Sequence, residues 1–271
     1  MKFSNLAPWI AVIIVATAAI GLDHQYTQSL RDTSALSGWA LLSFFVILAS
    51  YNLRKKVPFL PLLSSAGWLR AHLAIGVLTI AFFLIHVSWR VPNGALEIAM
   101  TLCYAAVAVS GLFGWGLSRV AAKALGRRGE EVIYEQIPHQ RLLLREEAHQ
   151  LAMEAVNSNH QSTVYDAYCQ QVLPYLARRD LGKSRFGLGR RHLLAALAAV
   201  DAEMPFSSDA DRQTLERFNE LLRRRGDLDF HAGLQGLLKG WFFIHVPLTW
   251  VLLTLTALHV VLVYRFAPAV L

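Results

Sequence analysis

Two apolar stretches, far apart in the chain, carry histidines at one shared interval. The first runs from Arg70 to Arg90 and holds His72 and His86; the second runs from Lys239 to Arg265 and holds His245 and His259. Both separations are 14 residues. Fourteen residues of α-helix advance about four turns, about 21 Å along the axis, and return to within about 40° of the starting azimuth. Each pair therefore occupies one face of its helix at two heights. Both runs are long enough to cross a bilayer, where ionisable side chains are costly and rare, so four such histidines mark a functional site by default.

The rest of the composition agrees with a membrane setting. Of 271 residues, 55% are hydrophobic and only 17% charged, and the apolar residues come in blocks. Five blocks read as spans: Pro8–Leu22, Ala35–Asn52, Trp68–Trp89, Ala95–Leu117 and Leu237–Tyr264. The expected fold is an all-α integral membrane protein. It is a five-span bundle over 1–118 and 237–271, or a four-span one if the first block is a cleaved signal, with a helical extramembrane insertion over 119–236. Met1-Lys2 followed by an apolar run resembles a signal peptide, and the expectation is an uncleaved anchor.

Charge sets the expected orientation. The insertion holds 17 basic and 16 acidic residues between Arg119 and Leu238, which leaves 9 basic against 3 acidic elsewhere. Arg54-Lys55-Lys56 and the group Arg119, Lys123, Arg127 and Arg128 fall on one side if every span crosses. The positive-inside rule then puts the amino terminus and the 119–236 insertion in the cytoplasm, most simply of a bacterial inner membrane. A basic excess of this kind anchors helices at lipid headgroups, so nucleic acid is not an expected partner.

Several patterns exclude other chemistry. Cys103 and Cys169 are too few for a disulfide framework, and no C-x-x-C-H occurs, so no c-type haem is attached to this chain. Gly111-Leu112-Phe113-Gly114-Trp115-Gly116 lies in an apolar helix and reads as a close-packing surface rather than a nucleotide loop. Gly182-Lys183-Ser184 lacks the earlier glycine of a phosphate loop, since position 177 is alanine. The insertion reads as helices, with His139–Val156, Arg191–Val200 and a segment capped at Ser208-Asp209 that ends at Gly226. His139, His149, His160, His192 and His231 are scattered there and read as ordinary surface or core residues.

The two spans that carry the histidine pairs are the third and the fifth, so they run in the same direction. His72 then lies level with His245, and His86 with His259. Imidazole is a good iron ligand, and two histidines on opposite faces of a haem leave no open coordination position, which suits electron transfer better than oxygen chemistry. Arg70 and Arg90, just outside the first pair, are candidate partners for haem propionates, with snorkelling anchors as the plainer reading. Gly76, one turn past His72, leaves room for a porphyrin face near the backbone.

On these residues the chain resembles the transmembrane domain of the ferric reductase and NADPH oxidase superfamily, and the spacing is also similar to cytochrome b of quinol–cytochrome c reductases. The resemblance covers about 38–118 and 237–265. It implies two b-type haems with axial pairs His72/His245 and His86/His259. The departures are specific: the flavin- and nicotinamide-binding domains of that superfamily are not expected here, over a hundred residues are inserted between the fourth and fifth spans, and no Pro-Glu-Trp-Tyr motif occurs.

The expectation is therefore a di-haem membrane subunit that conducts electrons for redox partners (an iron–sulfur, flavin or c-type protein), not a catalytic chain on its own. A quinone near either haem is left open, with no residue pattern assigning it. The alternatives are a self-sufficient quinol or ferric-type oxidoreductase, and a transporter or sensor using histidines for protons or metal ions.

Overall fold

The computed structural model describes residues 7–28, 33–50, 65–127, 132–158, 163–178 and 188–266. Among the described residues the chain is helical, without strands. It divides into two compact units, Met1–Gly116 with Trp241–Leu271, and Leu117–Gly240.

The first unit contains α1 (Ala7–Gln28), α2 (Ser34–Ser50), α3 (Ser65–His86), most of α4 (Ala95–Leu125) and the last part of α9 (Asp209–Phe266). By length and composition α1, α3, α4 and α9 are each sufficient to cross a membrane, which makes this a membrane protein. The sequence suggested five spans. The second of these, α2, is apolar but only 17 residues long, at the short end of what a bilayer needs. Large apolar side chains such as Ile13, Val109, Phe243 and Val261 stay exposed, as lipid-facing positions do. Inside, α1 and α2 both pack on α3. Cys103, Tyr104 and Leu252 are buried together, with Phe45, Phe83, Leu248 and Leu255 packed around them.

The second unit holds α5 (Ile137–Ser158), α6 (Thr163–Ala167), α7 (Leu173–Leu176), α8 (Leu188–Glu203) and the first part of α9. One π-helical turn, Tyr168–Val172, joins α6 to α7. Its core follows from helical spacing. Leu144, Ala148, Ala152 and Ala155 form one buried stripe of α5, and Leu215, Phe218, Leu221 and Leu222 form one of α9. The alanines let the facing helices come close, and each buried Leu or Phe contributes about 1.5–3 kcal/mol. Asp229 is held by Arg141 and Arg225, and Arg225 also donates to the Arg178 carbonyl at 2.8 Å. Burial pushes the Asp229 carboxyl up from the usual carboxylate range, and the two guanidiniums pull against that.

The start of α9 follows its sequence signal: the Asp211 amide donates to Ser208 Oγ at 3.3 Å, while that hydroxyl donates to Asp211 Oδ2 at 2.8 Å. Its end does not. The sequence placed a stop at Gly226 and a separate span from Leu237, whereas one helix of 58 residues runs from Asp209 to Phe266. A Cβ at Gly226 would lie 2.5 Å from Leu193 Cδ2. This glycine exists to admit a side chain of α8, not to break the helix.

Candidate functional site

The α3 helix ends immediately beyond His86. The Trp89 amide reaches back to the Leu84 carbonyl at 3.1 Å and the Ser88 amide to Ile85 at 2.9 Å, the closing pattern of a Schellman turn. Ser88 takes φ 50°, a position usually given to glycine, and Trp89 takes φ 56°. His86 is thus the last regular helical residue, fixed by the turn that follows it.

His86 is also fixed through its ring. Nδ1 donates to the Ser34 carbonyl at 3.0 Å and lies 3.5 Å from Ser37 Oγ. The α2 backbone approaches so closely that a Cβ on Gly38 would sit 2.9 Å from His86 Cε1. With Nδ1 engaged, Nε2 keeps its lone pair for a ligand. Across from it stands His259, with ring centroids 6.3 Å apart and planes at 88°.

The second pair is built similarly. The His245 ring nitrogen Nδ1 lies 3.1 Å from Ser110 Oγ, and the Trp241 ring stacks on it at 5.2 Å and 25°. The Trp241 indole in turn donates to the Ser110 carbonyl at 2.8 Å. Ser110 therefore anchors both the histidine and the ring that covers it. Gly114, one turn further along α4, leaves the space the indole fills, since a Cβ there would lie 2.0 Å from Trp241 Cζ2. His72 lies near the Leu48 backbone and within electrostatic reach of His245.

Between the two levels the bundle is apolar. Thr79 is seven residues from both His72 and His86, and Leu252 is seven from both His245 and His259. Seven residues are close to two helical turns, so both lie on the histidine stripes. Tyr104 of α4 fills this layer, stacked on Phe83 at 4.3 Å with its hydroxyl 3.1 Å from Thr79 Oγ1.

The structure thus brings His86 to His259, and it places His72 within electrostatic reach of His245. It does not gather the arginines: Arg70 turns back to donate to the Ala66 carbonyl at 3.2 Å, and Arg90 is exposed beyond the Schellman turn. In the second unit, His149 Nδ1 lies 3.3 Å from the Tyr168 hydroxyl and His231 is buried beside Phe230, whereas His160 lies outside the described residues. Among the described residues no group of three or more His, Cys, Asp or Glu side chains could hold a metal ion.

A haem between two histidines can be tested by distance. A metal–imidazole bond of about 2 Å on each side, with the span from each nitrogen to its ring centre, gives a centroid separation of about 6 Å. The His86–His259 separation of 6.3 Å meets that requirement. A Cβ on Gly76 would meet nothing within 4 Å, which leaves its face free for a planar group. The residues fit. Sequence reasoning missed Ser34, Gly38 and Ser110, whose partners lie at least 48 residues away in the chain, and Trp241, which stacks on His245 four residues on but is held there by Ser110. Only the Gly111–Gly116 cluster signalled close packing on α4.

The chain matches no protein-family model, no curated protein and no solved structure.

Proposed function

We propose that this protein is a di-haem b-type cytochrome that carries electrons across a membrane as a subunit of a redox complex. The observation that carries this reading is the His86–His259 pair, 6.3 Å apart with His86 Nδ1 committed to the Ser34 carbonyl. His86 and His259 would hold one haem, and His72 and His245 the other. When bound, each haem supplies reversible one-electron storage at its iron.

The chain's own residues do the rest. His86 with His259, and His72 with His245, would each hold a haem through two imidazoles, which suits electron transfer better than oxygen chemistry. The Ser34 carbonyl fixes the tautomer of His86 and raises its basicity, and the Ser110 hydroxyl holds the His245 ring in place. Phe83, Tyr104 and Leu252 keep water out of the layer between the levels. By the charge rule, the amino terminus and the insertion face the cytoplasm of a bacterial inner membrane, and the insertion offers a soluble redox partner a docking domain. A partner with an iron–sulfur, flavin or c-type centre, or a quinone, would then supply or take the electron.

The test is a reduced-minus-oxidised absorption spectrum with haem-to-protein stoichiometry. Two haems per chain are expected, falling to one in both His86→Leu and His259→Leu. Absence of any b-type signal, or loss of the same haem in His72→Leu and His259→Leu, would refute the reading.

A further inference from the structure

The near balance of basic and acidic residues over the insertion hides a segregation along α9. From Asp209 to Glu220 the helix carries Asp209, Asp211, Glu216 and Glu220 against Arg212 and Arg217. From Arg223 to Asp229 it carries Arg223, Arg224 and Arg225 against Asp227 and Asp229. The neighbouring helices sharpen this second, basic band. Asn219 donates to Asp201 at 2.7 Å, and Leu193 fills the place of a Gly226 Cβ, so α8 runs antiparallel to α9. That register sets the exposed Arg190 and Arg191 level with Leu228 to Phe230. Arg141 of α5 reaches the same level through its pair with Asp229.

Inside this band the charges do not cancel. Arg141 and Arg225 both donate to one oxygen, Asp229 Oδ1, which gathers two guanidiniums around a single carboxylate. Arg225 is 2% exposed. Burial chiefly, and Arg141 beside it, pull its guanidinium down from the usual value, against the Asp229 charge. The Nε–H groups of Arg141 and Arg225 are both buried, and neither has an acceptor among the described residues. A buried donor on a charged group is costly to leave without an acceptor, and a buried charge is costly to leave without a counter-charge. Ordered water would satisfy the two donors but not the charge. A guanidinium fork matches an oxyanion in both geometry and sign. The exposed arginines around the pair raise the local concentration of anions.

We propose that the insertion holds an oxyanion site at Arg141 and Arg225, which takes a phosphate group on their two unused Nε–H donors. Asp229 holds the two guanidiniums together from the other side, and the phosphate supplies the second negative charge that the pair lacks. The ligand is a phosphate-bearing molecule, either soluble or the headgroup of a lipid. The site lies wholly in the second unit and is independent of the histidine levels, so it stands whether or not the first unit carries haem.

The experiment is limited proteolysis of the insertion in the full chain, with inorganic phosphate titrated at constant ionic strength against chloride and the protease checked on a peptide substrate. Where cleavage tracks the open population, a bound ligand slows it. Protection by phosphate is expected to saturate, with cleavage slowed about elevenfold at ten times the dissociation constant. Arg141→Gln should weaken phosphate binding about tenfold or more. Arg141→Lys keeps the charge without the fork and serves where Arg141→Gln does not fold; it too should weaken binding. Arg224→Gln removes an exposed charge and should weaken it only about twofold. A second arm places the protein in nanodiscs with and without phosphatidylglycerol. Protection by inorganic phosphate assigns a soluble ligand, and protection by phosphatidylglycerol alone assigns a headgroup; in either arm the Arg141 variants must weaken it. Equal protection by chloride, no saturable protection in either arm, or protection that Arg224→Gln weakens more than the Arg141 variants do, would overturn the proposal.

Discussion

Gly114→Ala is a sharp test of how the His245 level is assembled. The added Cβ would lie 2.0, 2.2 and 2.7 Å from Trp241 Cζ2, Cε2 and Cη2. Carbon atoms in contact prefer about 3.5 Å, so the indole must retreat by about 1.5 Å. Its 2.8 Å hydrogen bond to the Ser110 carbonyl does not survive a shift of that size. Overpacking costs about 1–3 kcal/mol, and the lost hydrogen bond about 1 kcal/mol. Alanine returns about 1 kcal/mol through its helix propensity. The net is a destabilisation of about 1–3 kcal/mol, several degrees of melting temperature at a fixed scan rate in detergent. The displaced ring also uncovers His245, so haem should be lost at that level first. A Trp241→Phe background shortens the intruding ring and should shrink the penalty, which a double-mutant cycle reads directly. If Gly114→Ala melts at or above the wild-type temperature with both haems retained, the packing argument is wrong.

Gly76→Ala should behave in the opposite way. With nothing within 4 Å of the new Cβ, the polypeptide keeps its melting temperature or gains about 1 kcal/mol, while haem at the His72 level is depleted in the stoichiometry. Ser88→Gly should stabilise the protein by about 0.5–1 kcal/mol, because it relieves an L-residue at φ 50°, and thermal denaturation checks it against a Ser88→Val control that should do the reverse. In the insertion, Asp229→Asn leaves Arg141 and Arg225 facing each other without a carboxylate, and should cost about 3 kcal/mol, seen as faster limited proteolysis of that unit. Burial first, and the Asp229 charge second, push the Tyr175 hydroxyl from 10 up to about 12. A raised folded-state value means that this stability is complete below pH 10 and lost as pH rises through about 12, so tyrosinate absorbance and loss of helix should coincide in that window and separate in Tyr175→Phe.

The α5 stripe of Leu144, Ala148, Ala152 and Ala155 was visible in the sequence because a buried helix face repeats locally. So was the Ser208 cap, whose partner Asp211 is three residues away. Gly226 misled for the converse reason. Its local meaning is a helix stop, and only Leu193, packed where a Cβ would be, shows why the helix continues. Arg70 and Arg90 were singled out from position alone, and a long flexible side chain can turn to its own backbone, as Arg70 does to Ala66.

By itself the sequence determined where apolar spans lie and that two of them carry histidines 14 residues apart, since helical periodicity and hydropathy are properties of neighbours along one chain. Tertiary structure decided what surrounds each ring. Ser34 and Gly38 hold His86, while Ser110, Gly114 and Trp241 hold His245. Those contacts join α2 to α3 and α4 to α9, and side-chain direction and backbone approach between helices have no periodic trace in either partner's sequence. The opening interval fixes two histidine heights on each helix; the packing sets His86 against His259 and defines the His86 tautomer.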